Sequence, residues 1–276
     1  MRSRRWSYGC SFCDCLFRFS YLMLQVGIFG ASGKVGSLLA REVQKQPQLS
    51  LSSVFVRQNL SLNLAQILPQ DTFVTNDIEQ FIAHCKIVVD FSSAKALDQL
   101  IQVLLKHPLP LVSGTTGLKE WQALLDLSQK APVLHASNMS LGMAVLNKVV
   151  GLVAKDLVHA DIEISEIHHR YKKDAPSGSA LTLGQTCAQA RGIDFKQACQ
   201  QHREGLRKEG EIGFSSLRGG DLVGSHTVGF YLDGEYLEFN HTATDRTIFA
   251  KGALEAAKWL ALQKPGLYHI QDLYRS

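Results

Sequence analysis

The sequence lacks the features by which membrane and nucleic-acid-binding proteins are usually recognised. No run approaches the roughly twenty apolar residues that cross a bilayer, so no membrane partner is expected. No long basic run is present, and a net charge of +4 over 276 residues gives no reason to expect a nucleic-acid partner. Repeats and low-complexity linkers are also absent. The composition, 45% hydrophobic and 20% charged, is typical of a soluble globular protein with one large domain or two smaller ones.

The cysteine pattern predicts neither a disulfide framework nor a metal site. Three of the six cysteines crowd into the first fifteen residues, and the other three are single and widely separated. Scattered single cysteines are typical of a protein in the reducing cytoplasm. The crowded trio has no fourth ligand in place for zinc, so no metal is expected. The crowded residues are Cys10, Cys13 and Cys15, and the scattered ones are Cys85, Cys187 and Cys199.

The first twenty-two residues resemble a signal peptide only in part. The segment begins with basic residues followed by apolar ones, but Asp14 and Arg18 interrupt the apolar part. No small-residue cleavage site follows, because an apolar strand starts almost at once. We therefore expect residues 1–22 to be an appendage outside the fold, with the working protein starting at Met23.

From Met23 to about Ser140, short apolar runs alternate with amphipathic segments. The runs "MLQVGIFG", "LSLSSVFVR", "CKIVVDFSS", "LPLVSGTTG" and "APVLHASNMS" are typical of buried strands. The segments "KVGSLLAREVQK", "ALDQLIQVLLKH" and "LKEWQALLDLSQK" have helical spacing. Strands and helices that alternate at this interval predict an α/β domain with a Rossmann-type, doubly wound parallel sheet over residues 23–139.

The pattern changes after about Ser140. The helical segment "LGMAVLNKVVGLVAKDL" precedes the strand "ADIEISEIHH". Residues 211–243 are then rich in glycine turns and alternating side chains, with a hairpin expected at "LDGE". These segments predict a second, α+β domain over residues 140–245 with a mixed or antiparallel sheet. The helical "TIFAKGALEAAKWLALQ" falls in residues 246–276, which we expect to complete the first domain.

Three glycines lie between the first strand and the first helix, in "GASGKVG". Glycine lets the backbone turn tightly and approach a pyrophosphate, whose charge then faces the helix N-terminus. A glycine triplet alone can be a plain tight turn, but here a strand precedes it and a helix follows it. The expected dinucleotide-binding residues of this turn are Gly30, Ala31, Ser32, Gly33, Lys34, Val35 and Gly36.

The end of the second strand favours NADPH over NADH. An acidic residue there binds the adenine ribose of NAD, whereas an arginine accommodates the 2′-phosphate of NADP. Val56 stands where the acid would be and Arg57 follows it, although a solvated arginine is also common at a strand end. The turns "SGTTG" and "HASNMS" lie at other strand ends, where they can line the nicotinamide side. They supply Gly114, Thr115, Thr116, Ala136, Ser137, Asn138 and Met139.

The window "EISEIHHRYKKDAPSGSA" gathers imidazoles and cations just ahead of a helix start. The strand "DIEISEI" delivers His168 and His169 at its end, with their rings in roughly opposite directions. Either Ser177 or Ser179 can cap the helix that follows, whose free N–H groups suit a carboxylate. Lys172 could reach the same anion or share a proton with His168. The window therefore predicts an acid–base site that binds an anion.

Other interpretations of this window fit less well. The simplest is a polar loop whose histidines are structural. A hydrolase would need a "GxSxG" elbow, which the sequence lacks. The two histidines also lack the spacing of a zinc-binding helix.

These motifs together resemble those of the 4-hydroxy-tetrahydrodipicolinate reductase (dihydrodipicolinate reductase) family. "EIHHRYKKDAPSGSA" is similar to the family signature E-x-H-H-x-x-K-x-D-A-P-S-G-T-A, with Ser179 in place of threonine. The segments "GIFGASGKVG", "SGTTG", "ASNMSLGM", "GFSSLRGGDLVGSHTV" and "RTIFAKGALEAAKWL" occur in the family's order. The resemblance runs from Met23 to the C-terminus.

The resemblance implies an enzyme of lysine and diaminopimelate biosynthesis. Such an enzyme reduces the cyclic condensation product of aspartate semialdehyde and pyruvate with NADPH or NADH and releases water. A dicarboxylate substrate is implied, as is a homotetramer built through the sheet of residues 140–245, the substrate-binding and oligomerisation domain. Val56, where the family commonly has an acid, argues against strong use of NADH. The implied catalytic residues are His168 and Lys172, and the implied substrate-binding residues are His169, Gly178, Ser179 and Arg246.

Two other functions stay open on the sequence. A relative of aspartate-semialdehyde dehydrogenase or homoserine dehydrogenase would share the nucleotide domain, but the former needs a nucleophilic cysteine at a strand–loop junction. None of the three scattered cysteines stands in such a context. A nucleotide-sensing regulator would bind NADPH without turnover, and changing His168 to alanine would leave its behaviour intact.

Overall fold

The described residues of this computed structural model, 23–57, 60–118 and 121–274, form two β-sheets. The first sheet is built from β1 (Leu24–Phe29), β2 (Leu49–Phe55), β3 (Phe73–Thr75), β4 (Ile87–Asp90), β5 (Leu111–Ser113), β6 (Pro132–His135) and β12 (Gly266–Tyr268). Its strand order is β12-β6-β5-β4-β1-β2-β3, and all neighbouring strands run parallel. The predicted doubly wound parallel sheet is confirmed.

Helices cover both faces of the first sheet, which explains why its strands are almost continuously apolar. On one face, Leu39 and Leu254 are fully buried in the core. On the other face, Phe81, Leu100 and Leu124 are equally buried. The helices are α1 (Lys34–Glu42), α2 (Leu62–Ala65), α3 (Ile78–Ala83), α4 (Ala94–Leu104), α5 (Gln122–Ser128) and α9 (Thr247–Leu260), with 3-10 turns over Val43–Lys45 and Ile270–Tyr274.

The second sheet is mixed. Its members are β7 (Asp161–His168), β8 (Cys199–Gln200), β9 (Ile212–Arg218), β10 (Gly224–Leu232) and β11 (Glu235–Ala243), in the order β11-β10-β7-β9-β8. β10 pairs antiparallel with β7 and β11, and the loop of Asp233 and Gly234 closes the expected hairpin. β9 instead runs parallel to β7, because the chain crosses over between them through α7 (Gly178–Ala190) and α8 (Phe195–Ala198). The antiparallel pattern expected for 211–243 therefore holds only for its last two strands.

Helices of the described chain cover one face of the second sheet. The helix α6 (Leu141–Asp156) packs there beside α7, and Ile162 and Ile164 of β7 are buried beneath them. Because side chains alternate along a strand, Glu166 and His168 continue this inward row and are also buried. The inward row thus runs from a hydrophobic core directly into polar residues at the end of β7.

The segment between Arg57 and Ile87 contains elements that the sequence did not predict, namely α2, β3 and α3. The expected appendage of residues 1–22, with Cys10, Cys13 and Cys15, lies outside the described residues. Across the described residues, no helix has the length and apolar character needed to cross a membrane.

The contact between α9 and the loop that follows β6 leaves no room for a side chain. A Cβ atom at Gly252 would lie 1.7 Å from the carbonyl oxygen of Met139. We expect Gly252→Ala to lower the free energy of unfolding by at least about 2 kcal/mol, because overpacking forces the backbone to move. Urea unfolding would measure the loss, with Gly219→Ala as the control because no atom lies within 4 Å of its added Cβ. Since alanine is the better helix former, a stabilised Gly252→Ala would contradict this packing.

Candidate active site

The glycine turn between β1 and α1 lies where the order of the first sheet reverses. Helices on the two sides of β1 pack on opposite faces, so a crevice opens at the carboxyl ends of these strands. Gly30 has a φ of 89°, and a Cβ atom there would lie 2.6 Å from the carbonyl oxygen of Phe91. A Cβ atom at Gly36 would lie 2.2 Å from the carbonyl oxygen of Gly30. Glycine at these positions keeps the backbone accessible to a pyrophosphate.

A small cavity of about 150 Å³ lies against this turn and the ends of β1, β2 and β4. Phe29 and Phe55 stack in its wall with ring centroids 4.4 Å apart. Arg57 contributes a cation, and none of the described lining residues is acidic. Val56 is buried in the core, so the end of β2 presents a guanidinium and no carboxylate. Gly30, Ser32 and Gly33 complete the wall on the side of the turn.

A buried carboxylate organises the loops beside this cavity. Asp90, fully buried at the end of β4, accepts hydrogen bonds from Ser92 Oγ at 2.5 Å and Ser113 Oγ at 2.7 Å. Burial raises the pKa of Asp90 even though these hydrogen bonds oppose the rise. The Ser92 N–H also donates to Thr115 Oγ1, and His135 Nε2 bonds to the Thr115 carbonyl oxygen at 2.9 Å. Hydrogen bonds therefore join the loops after β4 and β5 and the end of β6 into one wall.

A larger cavity of about 420 Å³ separates that wall from the second sheet. It brings the turns at the ends of β5 and β6 opposite the end of β7 and the start of α7. Lys172, Lys173 and Arg246 outnumber one acid, Asp174, among its described lining residues, which suits an anionic ligand. The predicted site residues that line it are Val35, Gly114, Ala136, Ser137, Asn138, Met139, His168, His169, Lys172, Ser179 and Arg246.

The other predicted residues lie around this crevice rather than in its wall. Arg57 belongs to the smaller cavity with part of the glycine turn, while Ala31 is buried and Lys34 is exposed. Thr115 is buried behind Gly114, and Thr116 is exposed. The remaining residues outside the crevice wall are Gly30, Ser32, Gly33 and Gly36 of the turn and Gly178, the first residue of α7.

His168 is held by a carboxylate on its own strand. Its Nδ1 atom lies 2.5 Å from Glu166 Oε2, and both side chains are buried. Arg218 donates to both carboxylate oxygens of Glu166 at 2.8 Å. The Ser177 N–H donates to Glu166 Oε1 at 3.1 Å, and the His226 ring packs edge-on to His168 with centroids 5.0 Å apart. Hydrogen bonds to the Glu166 carboxylate thus connect β7, β9 and the start of α7.

The protonation of this cluster follows from burial and charge. Burial raises the pKa of Glu166, but hydrogen bonds from Arg218, His168 and Ser216 outweigh it and lower the pKa to about 2. Burial lowers the pKa of His168, and Glu166 opposes that fall. Burial and the neighbouring His168 lower the pKa of His226 to about 4. At neutral pH the cluster therefore holds an ionised carboxylate beside neutral imidazoles.

The start of α7 resolves which serine caps the helix. Ser177 is the N-cap, and its Oγ accepts from the Ala180 N–H at 3.2 Å. Ser179 does not cap the helix. Its Oγ instead accepts a hydrogen bond from Asn138 Nδ2 at 2.9 Å, which links the two domains. Beyond β7, Lys172 Nζ lies 2.9 Å from Asp174 Oδ2. The hydroxyl of Ser179 and the ammonium of Lys172 thus border the same cavity.

Three residues of this cluster, Glu166, Arg218 and His226, were missed from the sequence. Glu166 could have been found, because strand alternation places it in line with Ile164 and His168. Arg218 pairs in register with His168, and His226 with Glu166, but these partners lie far apart in the chain. Only the strand register brings them together. No group of His, Cys, Asp and Glu suited to hold a metal occurs among the described residues.

The family models and the related proteins that match this chain carry the name of one reductase. Family models described as dihydrodipicolinate reductase, N-terminus and C-terminus, match residues 24–139 and 142–274. A protein named 4-hydroxy-tetrahydrodipicolinate reductase from Helicobacter hepaticus is 53% identical over 91% of this chain and 98% of its own. One of the same name from a Nitratiruptor species is 51% identical with the same coverage.

A solved structure shares the fold. The dipicolinate-bound dihydrodipicolinate reductase from Paenisporosarcina sp. TG-14 superposes with a TM-score of 0.74. The match covers 90% of this chain and 98% of that one, at 22% sequence identity. The arrangement of a parallel sheet followed by a second, mixed-sheet domain is therefore one that a solved reductase also adopts.

The buried imidazole of His226 makes stability depend on pH. Its pKa is about 4 in the folded chain, below the ordinary 6.5, so the unfolded chain binds the proton more readily. Stability is therefore lost as pH falls from about 6.5 towards 4, and this residue accounts for about 2 kcal/mol between pH 7 and pH 5. Urea unfolding at both pH values should show a drop that is smaller by this amount in His226→Gln.

Two comparisons distinguish the contribution of His226 to the pH dependence of stability from those of other titratable residues. Glu166, whose pKa is lowered from 4.5 to about 2, contributes a loss of stability only below about pH 4.5. His107→Gln, at an exposed position, should retain the wild-type drop. An unchanged drop in His226→Gln would show that His226 is not held neutral.

Proposed function

Because the chain belongs to the dihydrodipicolinate reductase family, we propose that it reduces 4-hydroxy-tetrahydrodipicolinate to tetrahydrodipicolinate with NAD(P)H and releases water. This reaction belongs to diaminopimelate and lysine biosynthesis. The observation that carries the proposal is the shared cavity in which the turns at Gly114 and 136–139 face His168, Lys172 and Ser179. A nucleotide and an anionic ring held there would meet at the acid–base residues.

The glycine turn fits a dinucleotide, since added Cβ atoms at Gly30 and Gly36 would collide with the carbonyl oxygens of Phe91 and Gly30, and only glycine lets the chain turn this tightly at the start of α1. When bound, NAD(P)H supplies the hydride. The residues proposed to hold it are Gly30, Ala31, Ser32, Gly33, Lys34, Val35, Gly36, Arg57, Gly114, Thr115, Thr116, Ala136, Ser137, Asn138 and Met139.

His168 is the proposed proton donor and acceptor. Negative charge develops on the ring as hydride arrives, and a positioned acid that delivers a proton typically adds about 10²- to 10⁴-fold to the rate. Glu166 occupies Nδ1, so Nε2, which carries the lone pair of the neutral ring, is the atom that would take up a proton and then deliver it to the substrate ring. Lys172 is the second proton donor, and its ammonium also offsets the developing charge. Its partner Asp174 keeps it close to the cavity.

The substrate's two carboxylates would bind where cations and N–H groups converge. His169 and Arg246 line the cavity, and Ser179 offers a hydroxyl at its edge. Gly178 begins α7, so its N–H is one of the helix's free donors. A carboxylate there gains from several donors at once, which a solvated polar loop would not arrange.

We propose different roles for the two domains that contain the two sheets. We assign cofactor binding to 23–139 completed by 246–276, and substrate binding and oligomerisation to 140–245. The outward face of the second sheet carries the exposed side chains of Leu217, Tyr231 and Tyr236, and no described helix covers it. A homotetramer assembled through this face would bury them. The three described cysteines are free, in keeping with a cytoplasmic enzyme.

Activity is tested directly with the full chain. Aspartate semialdehyde, pyruvate and the condensing synthase generate the substrate in place, and nicotinamide absorbance reports its reduction. NADPH consumption should require the synthase, and His168→Ala and Lys172→Ala should each lower kcat about 100-fold because a proton donor is lost. Glu255→Gln is the matched control, since it removes a carboxylate from a surface ion pair on α9. NADPH binding without consumption would instead support the nucleotide-sensing regulator.

Cofactor preference is tested at Arg57. The cavity beside it holds this guanidinium and no acid among its described lining residues, which supports a preference for NADPH over NADH. Arg57→Ala should weaken NADPH binding about tenfold, the loss of one charge-assisted hydrogen bond, and leave NADH binding unchanged. Fluorescence titration with each cofactor measures both constants. Equal weakening of both would show that Arg57 does not contact the 2′-phosphate.

A further inference from the structure

Glu166 is an ionised carboxylate in an unusually complete set of donors. Its side chain is 1% exposed, yet it is charged at neutral pH. Arg218 donates to both oxygens, the Ser177 N–H donates to Oε1, and His168 Nδ1 faces Oε2. The donors replace the hydration that burial removes, whereas a buried charge left without them would be strongly destabilising.

The donors also fix where the carboxylate points. The two bonds from Arg218 hold the carboxylate plane in the plane of the guanidinium, and the Ser177 N–H prevents it from swinging away. Arg218 is itself anchored by a bond to the carbonyl oxygen of Asp174 at 2.5 Å. Oε2 is thereby left at a fixed position, 2.5 Å from His168 Nδ1.

This geometry selects one tautomer of the neutral imidazole. An ionised carboxylate only accepts hydrogen bonds, so Nδ1 of His168 must carry the hydrogen. The lone pair of the ring then lies on Nε2. A Cβ atom at residue 224 would approach Nε2 to 2.6 Å, so Gly224 is what leaves space beside that atom. The His226 ring supports the other side, bonded through its own Nε2 to Ser177 Oγ at 3.0 Å.

We propose that Glu166, clamped by Arg218 and the Ser177 N–H, is a positioning residue that holds His168 in the Nδ1–H tautomer with Nε2 directed to the crevice. The catalytic consequence rests on the proposed function, but the tautomer does not. The charged and titratable groups that face His168 are Glu166 on β7, Arg218 on β9, His226 on β10 and Lys172 on the following loop. Lys172 is itself paired with Asp174.

The first test needs no substrate and no variant beyond the one that assigns the signal. ¹⁵N chemical shifts of the histidines in the full-length protein distinguish a protonated from an unprotonated ring nitrogen, and His168→Gln identifies which signal is lost. Above its titration midpoint, His168 should show a protonated Nδ1 and an unprotonated Nε2. A predominant Nε2–H form in the wild type would overturn the proposal, whether or not the protein is an active reductase.

The second test removes, one at a time, the two opposite charges beside His168, those of Glu166 and Arg218. Glu166→Gln removes the anion and leaves Arg218, so the titration midpoint of His168 should move to lower pH. Arg218→Gln removes a cation and should move the midpoint to higher pH. If Glu166 served only to pack the site, loosening it would expose the ring and raise the midpoint in Glu166→Gln. That rise would overturn the proposal.

The kinetic test separates positioning from binding. Glu166→Gln should lower kcat roughly 10- to 100-fold, the usual effect of losing a group that orients a reacting residue, with KM for the substrate little changed. Glu255→Gln, on α9, should behave as wild type. An unchanged kcat in a folded Glu166→Gln enzyme would overturn the catalytic part. An inactive wild type with the expected tautomer would instead count against the proposed function alone.

Discussion

The fold of the second domain depends on hydrogen bonds to one buried charge, the carboxylate of Glu166. Taking a carboxylate out of water costs several kcal/mol unless donors replace the lost hydration. Glu166 obtains its donors from β7, β9 and the start of α7, which are distant in the chain. A one-residue slip of β9 would turn Arg218 to the other face and leave the charge unpaired. The same requirement therefore fixes the strand register and the imidazole of His168.

The first domain uses a buried acid in a comparable way. Asp90 accepts hydrogen bonds from the hydroxyls of Ser92 and Ser113, and Thr115 Oγ1 accepts one from the Ser92 N–H. These bonds fix the loops after β4 and β5, which border the cavity at Gly114. On each side of the crevice, a buried acid therefore holds a strand end that borders the cavity.

How far the sequence could predict this molecule depends on the range of each interaction. The glycine turn at Gly30 and the capped start of α7 were predictable because a few neighbouring residues determine them. The parallel pairing of β9 with β7 was not, because it depends on a crossover and on register. Arg218 and His226 stayed hidden for the same reason. They become part of the site through strand pairing with His168 and Glu166.

The separation of charges in the crevice follows from this arrangement. Arg218 is neutralised by Glu166 behind the surface, so it stabilises the fold without adding a free positive charge to the cavity. Lys172, Lys173 and Arg246 line the cavity against one acid, Asp174. A dianion in the cavity would relieve their mutual repulsion. The cation that holds Glu166 and the cations that line the cavity are therefore different residues, so the contacts that orient the imidazole do not use the lining cations.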